Sequence, residues 1–254
     1  MFAIRRGDES AYLPTGTLTE ADPMPAPPTI YIVCSDRGRN GKTLLARVLT
    51  DHLLIDERDP FCFDLSAPEG ALRAYFPGRT ALIDINDENT RAKLFDIILS
   101  RTGRDYVIDV PGAQFARFCE AAADNTLPAA ARAKGYRICV LFVVDRDPAS
   151  LKTAVALEEM LEPDLLVPVV NRFVGSSLPE GVPGPVVTLE KLEGEVRVLV
   201  SNRRFSFRSY LLGDDAGVPA RLRAQLKNFL HGVLGGLRNL EPAMSLQSLH
   251  EADL

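Results

Sequence analysis

The run Ser35-Asp36-Arg37-Gly38-Arg39-Asn40-Gly41-Lys42-Thr43 follows the apolar stretch Thr29-Ile30-Tyr31-Ile32-Val33-Cys34 and precedes Leu44, Leu45, Val48 and Leu49 at helical spacing. A strand, a tight glycine-bearing loop and a helix in that order point the open amides of the loop and of the helix start at one spot, where an anion is held. The residues that would cradle it are Gly38, Arg39, Asn40, Gly41, Lys42, Thr43 and Leu44. Lys42 adds a point charge, and Thr43 offers a hydroxyl suited to a magnesium ion. A standard phosphate-binding loop has a glycine where Asp36 stands, but Gly41, Lys42 and Thr43 keep the pattern.

From residue 29 onward, short β-branched apolar runs alternate with longer stretches of helical period, the mark of βαβ units around a parallel sheet. Strands are predicted at 29–34, 60–64, 80–85, 105–110, 137–144, 165–170 and 185–188. Helices are predicted at 42–54, 88–101, 113–123, 148–161, 190–200 and 218–240. Runs such as Ile138-Cys139-Val140-Leu141-Phe142-Val143-Val144 are apolar on both sides, so both faces of the sheet must be covered. The expected fold is α/β, a doubly wound, mostly parallel sheet with helices on both faces. Residues 1–28, polar and ending in a proline cluster, read as a flexible leader; 29–240 read as the nucleotide-binding domain and 241–254 as an acidic tail.

Two further acidic positions belong with the loop. Asp105-Tyr106-Val107-Ile108-Asp109 is a buried strand ending in a carboxylate, and Asp109 is assigned with Thr43 to the magnesium shell. Phe61-Cys62-Phe63-Asp64 ends in the same way on a neighbouring strand, so Asp64 is expected to face the terminal phosphate. Asp84 closes a third strand and ranks below both. At the end of another strand Asn171-Arg172 follows Val169-Val170, and an Asn amide presents a donor and an acceptor suited to the edge of adenine.

With these elements in order, the chain resembles the ParA/MinD branch of P-loop ATPases over roughly residues 29–212. That branch carries K-G-G-x-G-K-[ST], D-x-D, a D-Y-V strand ending in aspartate, and N-R. Here these are Arg37-Gly38-Arg39-Asn40-Gly41-Lys42-Thr43, Asp64-Leu65-Ser66, Asp105-Tyr106-Val107-Ile108-Asp109 and Asn171-Arg172. Within the branch, residues 64–85 resemble plasmid conjugation and mobilisation ATPases of the TraL/StbB kind. The resemblance implies bound ATP and magnesium, a nucleotide-dependent homodimer, and catalytic parts for Lys42, Asp64 and Arg37. Arg37 stands at the signature lysine that reaches the partner subunit's phosphates, and arginine keeps the charge with different geometry. Arg39 replaces a glycine, and Ser66 replaces the second aspartate of D-x-D, which implies slow hydrolysis. Alternatives are a non-hydrolysing adaptor on the same fold and an ATP-dependent ligase of the dethiobiotin-synthetase-like class.

Composition bears on partners and compartment. The chain carries a net charge of −5, yet residues 201–240 hold Arg203, Arg204, Arg208, Arg221, Arg223, Lys227 and Arg238 against Asp214 and Asp215. That excess fits an anionic partner such as DNA, with a protein partner as the other possibility. The amphipathic stretch 221–234 reads as a core helix before a membrane seat. Cys34, Cys62, Cys119 and Cys139 show neither metal nor disulfide spacing, and the start of the chain lacks the apolar core of a secretory signal; a cytoplasmic location is expected.

Overall fold

The computed structural model describes residues 26–100, 103–147, 149–178, 184–214 and 217–252. All but the last three residues of the expected leader therefore lie outside the described residues. The elements run β1 (Thr29–Cys34), α1 (Lys42–Ile55), β2 (Phe61–Asp64), β3 (Thr80–Leu82), α2 (Glu88–Ser100), β4 (Tyr106–Asp109), α3 (Phe115–Asp124) and α4 (Leu127–Ala133). They continue as β5 (Arg137–Val143), α5 (Ala149–Leu161), β6 (Leu165–Asn171), β7 (Val187–Leu189), α6 (Gly194–Ser201), α7 (Phe207–Leu211), α8 (Ala220–Leu237) and α9 (Leu240–Ala252). The strands form one seven-stranded sheet in the order β3-β2-β4-β1-β5-β6-β7, and every pairing is parallel.

Strand periodicity splits the core in two. On β1, Tyr31 and Val33 face α1 and α8, where Leu45, Leu49, Phe229, Leu230 and Val233 cover them. Ile30, Ile32 and Cys34 face the other layer, built from Leu94, Phe118, Leu127 and Leu157 of α2 to α5. Both layers are required because a parallel sheet of this kind exposes apolar side chains on each face. The chain moves from β1 toward one edge and returns through β4 to build the other, so the strand order reverses between β4 and β1. Ligands of open α/β sheets bind in the crevice at such a point, beyond the carboxyl ends of the strands.

Three helices were absent from the sequence expectation. α4 is short, alanine-rich and carries Pro128 in its first turn, where a missing N–H costs nothing. α7 has five residues and is started by Ser206, whose hydroxyl accepts from the Ser209 amide at 3.1 Å. α9 replaces the acidic tail: Leu240 and Met244, one turn apart, are buried in the α1/α8 layer, so packing continues past residue 240. The third strand pairs only to Leu82, although the Ile83 amide still donates to Asp64 O at 2.9 Å. The stretch 221–234 lies in α8 and buries Leu226, Phe229, Leu230, Val233 and Leu234, which leaves no apolar face for a membrane. Among the described residues no helix is long and apolar enough to cross a membrane. All four cysteines are free and buried.

Adjacent glycines on α8 have opposite roles. A Cβ on Gly236 would stand 2.9 Å from Val186 O and from Val187 Cα of the β7 edge, whereas one on the exposed Gly235 meets nothing within 4 Å. Gly236→Ala is expected to destabilise by about 1–2 kcal/mol, overpacking outweighing the helix-propensity gain. Gly235→Ala is expected to stabilise by up to about 1 kcal/mol. Urea denaturation of the two variants checks the signs.

Candidate functional site

The loop from Ser35 to Gly41 closes on its own side chains. Asn40 is buried, and its amide nitrogen donates to Ser35 Oγ at 2.7 Å and to Val143 O, at the end of β5, at 3.3 Å. Its Oδ1 accepts from Lys42 Nζ at 2.9 Å, and Lys42 also donates to Arg37 O. Asn171 Nδ2 donates to Asn40 O at 2.7 Å, which ties the end of β6 to the loop. Gly41 has φ +96° and caps α1 without a side-chain bond; a Cβ there would stand 2.6 Å from Asn171 Nδ2. Arg39, at the position where the resemblance expects glycine, adopts the glycine-favouring φ of +58°. Among the described residues the amides from Gly38 to Leu44 meet no backbone or side-chain acceptor. They form a concave set of free donors of the sort that holds anions. Lys42, 6% exposed, has its pKa lowered by burial, opposed by the charge of Asp109.

Thr43 and Asp109 meet directly. Thr43 Oγ1 donates to Asp109 Oδ2 at 2.7 Å, joining the first turn of α1 to the end of β4. In the sheet register Asp109 lies beside Val33 on β1 and beside Asp64 on β2. Burial raises the Asp109 pKa to about 7 and the Asp64 charge adds to the rise, while the Thr43 hydrogen bond and Lys42 oppose it. A hydroxyl and a carboxylate are hard oxygen donors, and few carboxylates with several waters suit magnesium. The pair therefore fits the ion assigned to it from sequence.

Asp64 is placed differently from its expected role. The carboxylate is fully buried, and Oδ1 accepts from the Ser66 amide at 2.9 Å and from Ser66 Oγ at 2.5 Å. Oδ2 accepts from the amides of Leu72 at 2.7 Å and Arg73 at 2.9 Å. A carboxylate has about four lone-pair sites, and all are taken. Ser66 Oγ in turn accepts from the Ala71 amide at 2.8 Å, so Asp64-Leu65-Ser66 closes the loop between β2 and β3 instead of facing phosphate. Asp84 is exposed and caps the Asn86 amide at 3.0 Å.

Arg37 turns to its own chain. Its Nη2 donates to Asp147 Oδ2 at 3.0 Å, with both side chains about half exposed. A pair this accessible to water stabilises by only about 0–1 kcal/mol. Asp36, the other departure from the usual loop, has Oδ1 buried without a donor. Gly112, after β4, lies so close to the Arg37 carbonyl that a Cβ would stand 2.5 Å from it, so the turn beyond Asp109 and the loop fit together only through glycine.

Beside the loop lies a cleft of about 240 Å³, lined by Gly41, Thr43 and Leu44 on one side and by Asn171, Phe173 and Glu190 on the other. Both ends of the Asn171 amide are engaged: Nδ2 on Asn40 O, Oδ1 accepting from the Phe173 amide at 2.9 Å. It borders the cleft but first holds the loop. Arg172 is exposed and bonds Leu189 O through its backbone amide at 2.9 Å. Sequence reasoning missed Arg47, Tyr75 and Arg197, which also line the cleft. Arg47 was legible in principle as a cation on the buried stripe of α1, one turn beyond Thr43. Of the basic segment, Arg221 pairs with Glu195, while Arg203 and Arg204 are exposed.

No protein-family model matches the chain, and no curated protein matches its sequence. Among solved structures, it is similar to a putative plasmid partition protein of Borrelia burgdorferi B31 bound to AMPPNP, with 12% identity over 89% of this chain and 99% of that one, at a TM-score of 0.49. A nucleotide-binding protein of Archaeoglobus fulgidus in complex with ADP shares 14% identity over 69% and 86%, at 0.44. The MinC:MinD cell division protein complex of Aquifex aeolicus shares 16% over 56% and 68%, at 0.38. Similarity of this extent assigns neither family, activity nor partner.

The raised Asp109 pKa makes ligand-free stability depend on pH. Because the folded group holds its proton up to about 7 while the unfolded one releases it near the usual carboxylate value, its contribution is full below that value and is lost as pH rises toward 7. Asp109→Asn removes this slope. Urea midpoints of both proteins between pH 4 and 8 should converge in acid and separate, with the variant higher, toward pH 8.

Proposed function

We propose that the chain binds ATP with magnesium and works as a nucleotide-dependent homodimeric switch of slow turnover, acting through a DNA or protein partner. The observation that carries the reading is the meeting of Thr43 and Asp109 at 2.7 Å, beside free loop amides and a buried Lys42. Thr43 and Asp109 would hold the magnesium, which supplies charge neutralisation among the phosphate oxygens when bound. Lys42 would exchange its internal acceptors, Arg37 O and Asn40 Oδ1, for phosphate oxygens without moving to a new loop.

Slow turnover is supported by Asp64, whose oxygens are all engaged and are not available to orient water. The same observation favours, as a second reading, an adaptor that binds nucleotide without hydrolysing it. A trans contact by Arg37 is supported by the exposure of its pair with Asp147, which water already weakens. Nucleotide would favour the dimer by its contacts with both subunits, and loss of the γ-phosphate would release it. The exposed Arg203 and Arg204 support an anionic partner.

Calorimetry with Mg·ATP and light scattering test the reading. Wild-type protein is expected to bind and to double its mass with ATP but not ADP. Lys42→Ala is expected to weaken binding by about tenfold or more, the worth of a charge-assisted hydrogen bond. A wild-type protein indifferent to nucleotide, or a Lys42→Ala variant that binds as tightly, overturns it. Mass doubling without phosphate release assigns the adaptor.

A further inference from the structure

The Asp64 knot ends at the cleft. Its bonds to the Leu72 and Arg73 amides fix the turn that carries Tyr75, whose own amide donates to Leu72 O at 3.0 Å. The Arg47 guanidinium carbon lies over the Tyr75 ring, 3.4 Å from its centroid, and the Tyr75 hydroxyl donates to Ser201 O at 3.1 Å. Arg47 also donates to Val200 O at 2.8 Å, and its guanidinium carbon lies 5.1 Å from the Phe207 ring centroid. Ring and guanidinium both border the cleft that opens from Thr43 and Leu44. The result is an aromatic and cationic wall, built from three separate parts of the chain, in the same cleft that Gly41, Thr43 and Leu44 of the loop line.

We infer that Tyr75, stacked on Arg47, is the wall against which the nucleoside end of the ligand packs, and that Asp64 and Ser66 are positioning residues for that wall. The inference rests on the nucleotide reading and deepens it. A nucleobase offers a flat π face that aromatic rings and arginine planes receive whatever its edge pattern, and such stacking is a large share of affinity. The cradle grips any polyphosphate, so the Tyr75 wall is what makes a nucleoside triphosphate bind more tightly than bare polyphosphate. Asp64 thus acts on affinity for the nucleoside, through a loop, and not on the phosphate chemistry. Ser66 belongs to the same device, because its hydroxyl bonds Asp64 and the Ala71 amide at once.

The test compares Mg·ATP with Mg·tripolyphosphate, which has no nucleoside, by calorimetry. Tyr75→Ala is expected to lose about tenfold or more in ATP affinity and to leave tripolyphosphate affinity unchanged, in keeping with one lost stack. Tyr75→Phe keeps the ring and should stay within about threefold of wild type, as expected when only one neutral hydrogen bond is lost. Ser66→Ala should shift in the direction of Tyr75→Ala, by less. Asp64→Asn should match Tyr75→Ala; since that buried carboxylate also closes a loop, near-ultraviolet circular dichroism establishes folding, and Tyr75→Ala and Ser66→Ala decide if it unfolds. An unchanged ratio of ATP to tripolyphosphate affinity in Tyr75→Ala, or equal loss of both ligands, overturns the inference alone. Wild-type protein that binds neither ligand overturns the nucleotide reading with it.

Discussion

Parallel pairing of β1 with β4 on one side and β5 on the other is the constraint from which the rest follows. A strand bonded along both edges and covered on both faces has only its ends free, so the chain leaving Cys34 must turn within a few residues onto α1. The same pairing brings Asp109 level with Val33 and Val143 within reach of Asn40. Backbone hydrogen bonds in the sheet thereby set the distances among side chains that are far apart in sequence. Glycines at 41 and 112 are required because the loop is pressed against Asn171 at the end of β6 and against the turn that follows β4, with no room for a Cβ.

Much of this was legible in the order of residues. Apolar runs, β-branched in β1, β4, β5 and β6 and aromatic in β2, marked the central strands because buried parallel strands have no polar face to blur the signal. The loop was legible because free amides, a lysine and a hydroxyl have to occur at fixed spacing to meet an anion. What stayed hidden was short or depended on distant contacts. α7 has five residues, too few for a helical period, and α9 buries Leu240 and Met244, with Ala243 packed beside them. Tyr75 stands in a loop with no periodicity, and only the fold brings it to Arg47.

The departures from the usual motif divide by physical cause. Arg39 adopts a left-handed backbone that favours glycine, the residue the resemblance expects at that position. Ser66 follows a different logic. Next to a buried carboxylate already accepting three backbone amides, a second aspartate would add like charge, whereas a hydroxyl donates to one partner and accepts from another. Reading D-x-S as a weakened catalytic pair therefore misplaces it: the three residues form a closed turn. Asn171 shows the same economy, since an amide suited to a base edge holds the loop through Asn40 O and the Phe173 amide.

The four cysteines carry a consequence of their own. Cys34, Cys62 and Cys139 sit on three neighbouring or near-neighbouring strands and Cys119 on the helix that covers one face. Burial pushes every one of these thiols upward, Cys62 to about 11 and Cys119 to about 12, so almost no thiolate exists at neutral pH while the sheet is intact. Alkylating reagents reach the strand sulfurs of Cys34, Cys62 and Cys139 only when the layers part, whereas Cys119 borders a surface cavity. The rate at which the three strand thiols are modified is therefore a clock for opening of the sheet itself.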